Sequence, residues 1–190
     1  MPRIIAGSAR GRRLRAPSGR TTRPTADRVR EALFASLDHL LGGFDGLAVL
    51  DLFAGSGALG LEAASRGARR VVLVERDRTV LAGTRANADL VGVPGVEVVG
   101  QAVERFLAGP GEPFDLVLAD PPYALPAEEL ARVLGQLIER WLGPDAVVVV
   151  ERAARDGALT WPNGLVALRH STYGETALWY GQRAPQGEDR

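Results

Sequence analysis

The tetrapeptide Asp120-Pro121-Pro122-Tyr123 follows a predicted strand over 114–120 and combines a carboxylate, two prolines and an aromatic ring. A residue before proline is held extended, so the Asp120 carboxylate and the Pro121 carbonyl can be fixed toward one point. Two acceptors at one point suit the exocyclic amino group of a nucleobase, while Tyr123 can stack on its ring. Hydrogen bonds to both N–H groups favour a pyramidal nitrogen, and the carboxylate stabilises the positive charge that develops there. The alternative for the tetrapeptide alone is a simple turn.

A second candidate site begins with an apolar run over 47–50 and continues through Asp51 into Gly55-Ser56-Gly57-Ala58-Leu59-Gly60. The first two glycines, Gly55 and Gly57, allow a tight turn that approaches a ligand, and the third allows close packing of the next helix. The same glycines match a dinucleotide fingerprint, so an NAD-dependent oxidoreductase stays open. Asp51 argues against it, because an anion there repels phosphate and suits an ammonium group such as that of S-adenosylmethionine.

Polar residues after the next two predicted strands extend this cofactor site. Glu75 closes the second strand, 24 positions after Asp51. An acid at that place can accept hydrogen bonds from both hydroxyls of a ribose. Gln101-Ala102 follows the third strand, where a polar side chain could reach the amino group of an adenine. The alternative for Glu75 is a solvated acid at a strand end.

The elements that must position these residues alternate between strand and helix, which predicts an α/β fold with a parallel sheet covered on both faces. The strands are predicted at 47–52, 70–75, 95–99, 114–120 and 146–151. The helices between them are predicted at about 57–67, 77–91, 102–108 and 126–141. Two further strands, at 165–170 and 176–182, have no helix between them and are expected to form an antiparallel hairpin at the sheet edge.

The N-terminal region differs from the rest in charge. Residues 1–30 hold nine arginines against one acid, although the whole chain has zero net charge. Residues 3–15 are typical of two short strands around a turn, and a helix is expected over 26–41 with Thr25 as its N-cap. Four residues form the predicted apolar stripe of this helix: Val29, Leu33, Leu37 and Leu40. A basic arm on an acidic body favours a polyanionic partner, with a solvated tail as the alternative.

Composition limits the classes of function. The chain of 190 residues has no cysteine, which excludes disulfides, thiolate metal sites and a cysteine nucleophile. It has no apolar run of membrane-spanning length and no signal-peptide pattern, so we expect a cytoplasmic protein without a membrane segment. The predicted chemistry requires neither a metal nor a covalent intermediate, and nothing in the pattern indicates more than a monomer.

The sequence resembles the RsmD family, which methylates guanine N2 in small-subunit ribosomal RNA. The resemblance extends over nearly the whole chain. The segments that carry it are Arg3-Ile4-Ile5-Ala6-Gly7, Gly11-Arg12-Arg13-Leu14, Arg23-Pro24-Thr25, residues 27–34, residues 51–57, Asp120-Pro121-Pro122-Tyr123 and Tyr173-Gly174-Glu175-Thr176. The glycine and Asp-Pro-Pro-Tyr motifs occur in many amino-methyltransferases, whereas the N-terminal segments are more particular to this family.

The resemblance implies a class I S-adenosylmethionine-dependent methyltransferase, with a Rossmann-like seven-stranded sheet, acting on guanine N2 of 16S ribosomal RNA, of the guanine-966 type. Charge and composition predict a basic arm over 1–22 and a frayed tail over 184–190, with the methyltransferase domain over 23–183. The residues expected at the cofactor are Asp51, Phe53, Gly55, Gly57, Glu75, Arg76, Gln101, Ala102, Arg23, Pro24 and Thr25. Those expected at the target base are Asp120, Pro121, Pro122 and Tyr123. Those expected at RNA are Arg3, Arg10, Arg12, Arg13, Arg15, Arg20, Arg28 and Arg30. Gln101 stands where related enzymes often carry an acid.

Two alternatives to ribosomal RNA methylation remain open besides the oxidoreductase. An adenine-N6 DNA methyltransferase could use the same tetrapeptide, although the chain has no extra domain for reading duplex sequence. A non-catalytic RNA-binding module would account for the N-terminal arginines but not for the acidic residues at the ends of the predicted strands.

Overall fold

The computed structural model describes residues 2–16 and 24–185, with side chains from residue 27 onward in the second range. The strands are β1 (Ala48–Leu52), β2 (Arg70–Val74), β3 (Val96–Val99), β4 (Phe114–Ala119), β5 (Leu142–Ala153), β6 (Leu165–Tyr173) and β7 (Thr176–Arg183). The helices are α1 (Pro24–Leu41), α2 (Ala58–Ser65), α3 (Arg78–Val91), α4 (Val103–Leu107) and α5 (Ala127–Arg140), with a short 3-10 helix at Ala154–Asp156.

The strands form one sheet in the order β3-β2-β1-β4-β5-β7-β6. The first five strands in this order are parallel, and β7 runs antiparallel between β5 and β6. The chain builds outward from β1 to β3 and then returns to place β4 on the other side of β1. Strand order therefore reverses between β1 and β4, and the crevice at such a reversal is where sheets of this kind bind ligands. The predicted seven-stranded α/β fold with an antiparallel edge hairpin is confirmed.

Helices cover both faces of this sheet, and each face has its own apolar core. One core joins the sheet to α1, α2, α3 and the N-terminal segment, and the other joins it to α4 and α5. All five residues of β1 are buried, including Asp51. Continuous burial is expected of a parallel strand between two helical layers, which is why its sequence is an apolar run rather than an alternation.

Helix α1, its apolar stripe and strand β5 differ from the sequence-based expectations. Helix α1 begins at Pro24, so Thr25 lies in its first turn and is not the N-cap. Proline is tolerated there because the first helical N–H groups have no intrahelical acceptor. Leu40 is 41% exposed and lies outside the buried stripe of Val29, Leu33 and Leu37. Strand β5 begins at Leu142 and not near 146, because Leu142 pairs with Phe114 before a register shift.

The N-terminal segment forms a hairpin with one isolated antiparallel bridge, between Arg3 and Arg13, and not two full strands. Its apolar side chains Ile4 and Leu14 are fully buried in the core on the α2 face. The buried Glu62 carboxylate of α2 accepts hydrogen bonds from the N–H groups of Ile5, at 2.6 Å, and Ala6, at 3.0 Å. The hairpin is therefore docked on the sheet-and-helix body through apolar burial and a buried carboxylate.

Within residues 2–16 and 24–185, no helix is both long and apolar enough to cross a bilayer. The predicted division into an arm and a methyltransferase domain stays a prediction, and the tail from residue 186 lies outside the described residues.

Candidate active site

The two motifs singled out from the sequence lie side by side at the carboxyl edge of the sheet. Strands β1 and β4 are parallel neighbours, and Leu52 pairs with Ala119. The residues that follow this pair are Phe53 on one strand and Asp120 on the other. The glycine loop and the Asp-Pro-Pro-Tyr segment therefore open into the same crevice, which is the point where strand order reverses.

The glycine loop turns sharply because its glycines adopt positive φ angles, which residues with a side chain rarely adopt. Gly57 has φ 78° and its N–H donates to the Ala54 carbonyl at 2.8 Å. Gly60 serves close packing instead, since a Cβ there would lie 2.2 Å from Leu73 Cδ2. Phe53, at the start of the loop, also has a positive φ of 61° without being glycine. Such a backbone is uncommon for a bulky residue and is typical of sites that hold a ligand.

Asp51 lies beneath this loop and is 1% exposed. Its Oδ2 accepts the Gly60 N–H at 2.8 Å, near the N-terminus of α2. The pKa of Asp51 is raised to about 7, chiefly by burial and to a smaller extent by the nearby carboxylates of Asp120 and Glu75, while the Gly60 hydrogen bond opposes this change. A buried carboxyl among other acids is electrostatically unsatisfied, and a bound cation would relieve this.

Glu75 connects the glycine loop to the start of α3. Its Oε2 accepts the Gly55 N–H at 3.0 Å, and its Oε1 accepts the Asp77 N–H at 2.8 Å. Each carboxylate oxygen has a second lone pair, so both oxygens can still accept a hydroxyl. This carboxylate and Asp51 fit the ribose hydroxyls and the ammonium group of S-adenosylmethionine, which agrees with the predicted cofactor.

Two buried polar residues of α3, which the sequence analysis missed, hold the loop from behind. Thr84 Oγ1 donates to the Gly55 carbonyl at 2.6 Å. Asn87 Nδ2 donates to the Ser56 carbonyl at 2.8 Å and to the Arg15 carbonyl at 3.0 Å, while its Oδ1 accepts the Arg15 N–H at 2.8 Å. The available signal was their spacing, because both lie on the buried stripe of α3 among apolar residues.

The Asp-Pro-Pro-Tyr segment leaves β4 and turns back toward α5. Asp120 is half-buried and Pro121 is buried, whereas Tyr123 is 63% exposed at the rim. The Leu125 N–H donates to the Pro122 carbonyl at 2.8 Å and closes the turn around Tyr123. The exposed Tyr123 ring, on a closed turn that follows Asp120, is suited to stack on a planar base.

The remaining residues predicted at the cofactor lie on the rim of the crevice or outside the described part. Gln101 and Arg76 are exposed, and Ala102 is half-buried as the N-cap of α4. They follow β3 and β2, so they lie at the same edge of the sheet as Asp51. Arg23 is outside the described residues, as are the side chains of Pro24 and Thr25.

The predicted RNA-binding arginines divide into exposed and internally bonded groups. Those with exposed side chains are Arg3, Arg10, Arg13, Arg15 and Arg28. Arg12 is exposed too, but it donates to the Val91 carbonyl and, at 2.5 Å, to the Leu90 carbonyl at the end of α3. Arg20 lies outside the described residues.

Arg30 does not lie on the surface, which corrects the expectation from its sequence position. It is 6% exposed, and its guanidinium donates to the Arg3 carbonyl at 2.6 Å and pairs with Asp27 at 3.2 Å. Burial lowers the pKa of Arg30, although neighbouring acids oppose this change. Its role is to connect α1 to the N-terminal hairpin. The part of the chain that the structure describes contains no cluster of three or more potential metal ligands.

Comparisons with known proteins agree with this geometry. The family model described as conserved hypothetical protein 95 matches residues 2–182. The ribosomal RNA small subunit methyltransferase D of Escherichia coli K12 is 38% identical over 98% of this chain and 92% of its own length. The protein of the same name from Haemophilus influenzae is 38% identical over 90% of this chain and 89% of its own length.

A solved structure of an Escherichia coli protein described as a methyltransferase has a TM-score of 0.86 to this chain at 36% identity, covering 97% of this chain and 99% of that one. The magnesium protoporphyrin IX methyltransferase of Synechocystis, solved with bound S-adenosylmethionine, has a TM-score of 0.64 at 17% identity, over 88% of this chain and 87% of that one, and so shares the fold. The chain therefore belongs to the family of conserved hypothetical protein 95, and its resemblance to the RsmD methyltransferases is confirmed.

Proposed function

We propose that this protein transfers a methyl group from S-adenosylmethionine to the exocyclic N2 of a guanine in 16S ribosomal RNA, of the guanine-966 type, within the small ribosomal subunit. Its family membership makes it an S-adenosylmethionine-dependent methyltransferase of ribosomal RNA. The choice of guanine N2 and of the small subunit is the proposal. The observation that supports it best is the adjacency of β1 and β4, which brings the acidic cofactor residues and the base-binding segment to one crevice.

The residues proposed to bind the cofactor differ in the chemical group that each would contact. Asp51 would bind the ammonium group, and Glu75 would accept the ribose hydroxyls. Gly55 and Gly57 allow close approach, and Gln101 would contact the adenine. Bound in this way, S-adenosylmethionine supplies an electrophilic methyl group on sulfur. The other residues proposed around it are Phe53, Arg76, Ala102, Arg23, Pro24 and Thr25.

The chain's contribution at the target base is orientation and charge stabilisation. The Asp120 carboxylate and the Pro121 carbonyl would accept hydrogen bonds from the amino group, and Tyr123 would stack on the ring. As the nitrogen bonds to the methyl carbon, the bond from that carbon to sulfur would break and the nitrogen would become positively charged. Asp120 would stabilise that charge until the nitrogen loses a proton to water. A guanine in folded RNA must first turn out of its stack, and the exposed Tyr123 ring can receive it.

The RNA surface is proposed to comprise the exposed arginines of the N-terminal region. It contains Arg3, Arg10, Arg13, Arg15 and Arg28, and Arg20 stays a prediction outside the described residues. The monomeric state and the cytoplasmic location predicted from the sequence are kept as proposals.

The test is methyl transfer from labelled S-adenosylmethionine to small ribosomal subunits that lack the modification. We expect incorporation at one guanine N2 and none into duplex DNA. Asp120→Ala should lower turnover by about 10²–10³-fold, as expected when a charge-stabilising group is removed, with little change in RNA affinity. The control is Glu128→Ala, which removes an exposed acid in the first turn of α5.

Each alternative predicts a different outcome of the same assay. Incorporation into adenine N6 of DNA would favour the DNA methyltransferase. Full activity of Asp120→Ala would contradict the assigned role of that carboxylate, and RNA binding without methyl transfer by the wild type would favour a binding module. Binding of a nicotinamide cofactor instead of adenosylhomocysteine would favour the oxidoreductase.

A further inference from the structure

Arg152 is a little-exposed arginine near the carboxyl end of β5, outside the residues proposed to bind the cofactor and the base. Strand β5 pairs with β4 as far as Val150 and continues through Ala153 beside β7. Arg152 therefore lies beyond the last β4 pairing, level with the segment that leaves β4 through Asp120. Its side chain is 12% exposed.

The guanidinium of Arg152 contacts two separate segments at the rim, one through a backbone carbonyl and one through a side-chain carboxylate. Its Nη1 donates to the Leu125 carbonyl at 3.2 Å. Its Nη2 pairs with Asp156 Oδ2, at 3.0 Å, in the short 3-10 helix after β5. A planar guanidinium can make both contacts at once with little loss of freedom, whereas an ammonium group lacks this fork.

The Leu125 carbonyl that Arg152 holds belongs to the turn that carries Tyr123. The Leu125 N–H donates to the Pro122 carbonyl at 2.8 Å, so the turn is closed at its base. One end of the turn is fixed by the proline pair after Asp120, and the other is fixed by Arg152. The Tyr123 ring itself is 63% exposed, so its orientation depends mainly on the turn beneath it.

We propose that Arg152 is a positioning residue, which fixes the turn over residues 122–125 and thereby orients Tyr123 against the target base. This inference rests on the proposed function, because it assigns Tyr123 to the guanine. Arg152 itself does not touch the base. Its effect is on the alignment of the bound base, and a displacement of about 1 Å in such an arrangement can slow a reaction about 10²-fold.

The experiment compares Arg152→Ala and Arg152→Lys with Arg155→Ala, which removes an exposed arginine three residues away. Single-turnover methylation of small ribosomal subunits by Arg152→Ala should be about 10²-fold slower, with the apparent subunit affinity nearly unchanged. Adenosylhomocysteine binding should stay close to that of the wild type, and the melting temperature should fall by only a few degrees, because the Leu125 carbonyl and Asp156 lose a charged donor. Arg152→Lys should recover part of the rate, because lysine keeps one donor for Leu125 but not the fork. Arg155→Ala should react at the wild-type rate.

A double-mutant cycle with Tyr123→Ala separates positioning from a general structural effect. If Arg152 acts through Tyr123, adding Arg152→Ala to Tyr123→Ala should slow the reaction only slightly further, because interacting residues are not additive. Full additivity of the two losses would overturn the inference, as would a wild-type rate for Arg152→Ala. If Arg152→Ala does not fold, Arg152→Lys becomes the test variant: its rate should lie below that of the wild type, and a wild-type rate would overturn the inference. An inactive wild type would instead overturn the proposed function.

Discussion

Asp51 is the residue at which the electrostatics of the site can be measured directly. Its pKa is raised from 3.8 to about 7, chiefly by burial. Because the folded-state pKa is raised, the ionised carboxyl destabilises the fold progressively as pH rises from about 4 to about 7. A ligand with an ammonium group binds to the ionised carboxylate, so its affinity depends on the ionised fraction of Asp51.

We therefore expect adenosylhomocysteine to bind about tenfold more tightly at pH 8 than at pH 6, since the ionised fraction of a group with a pKa near 7 rises about tenfold over that range. Calorimetry at the two pH values measures this. Asp51→Asn should bind weakly at both pH values and lose the pH dependence. Equal affinity of the wild type at the two pH values would contradict the role of Asp51 as the ammonium partner.

The order of strands and helices in the sequence predicts that Asp51, Glu75 and Asp120 lie at one edge of the sheet, because a parallel sheet brings the carboxyl ends of its strands together. Spacing could not identify Asn87 or Arg152. Asn87 bonds to carbonyls 31 and 72 positions away, and Arg152 bonds to one 27 positions away. Such partners are determined only when the chain has folded, and a polar residue on a helical or strand pattern does not indicate which they are.

The contact between α2 and the sheet determines where the glycine loop can lie. Gly60 packs tightly against the sheet, since a Cβ there would lie 2.2 Å from Leu73 Cδ2. Gly60→Ala should lower the free energy of unfolding by about 1–3 kcal/mol, because added volume in a packed core forces rearrangement. Denaturant titration measures the change, and adenosylhomocysteine affinity should fall with it.

The matched control for Gly60→Ala is Gly83→Ala, in α3, where a Cβ would have no neighbouring atom within 4 Å. Alanine there should raise the free energy of unfolding by about 0.5–1 kcal/mol through helix propensity. Equal effects of the two substitutions would show that backbone propensity, and not packing, dominates at Gly60. The sequence predicted that a glycine was required at this place, but the partner Leu73 could be known only from the register of β1 against β2.

The basic charge of the N-terminal region is carried largely by a hairpin that is docked on the rest of the molecule. Apolar periodicity and arginine count predicted a basic N-terminal piece, but they could not separate arginines that face solvent from those used internally. Arg30 is buried beneath the hairpin, and Arg12 holds the carbonyls at the end of α3. These assignments depend on how the hairpin packs on α1 and α3, which the sequence pattern of the hairpin alone does not encode.

This division predicts two different consequences of removing hairpin arginines. Arg10→Ala with Arg13→Ala should weaken binding to ribosomal RNA and lower its salt dependence by about one unit of slope per lost phosphate contact, without changing stability. Arg12→Ala should instead destabilise the fold by about 0.5–1.5 kcal/mol, because two carbonyls at the end of α3 lose a charged donor. Filter binding over a salt series and denaturant titration of the same variants test both. An unchanged salt slope in the double variant would show that Arg10 and Arg13 do not contact RNA. An Arg12→Ala variant with wild-type stability and a reduced salt slope would show that Arg12 contacts RNA instead of supporting the fold.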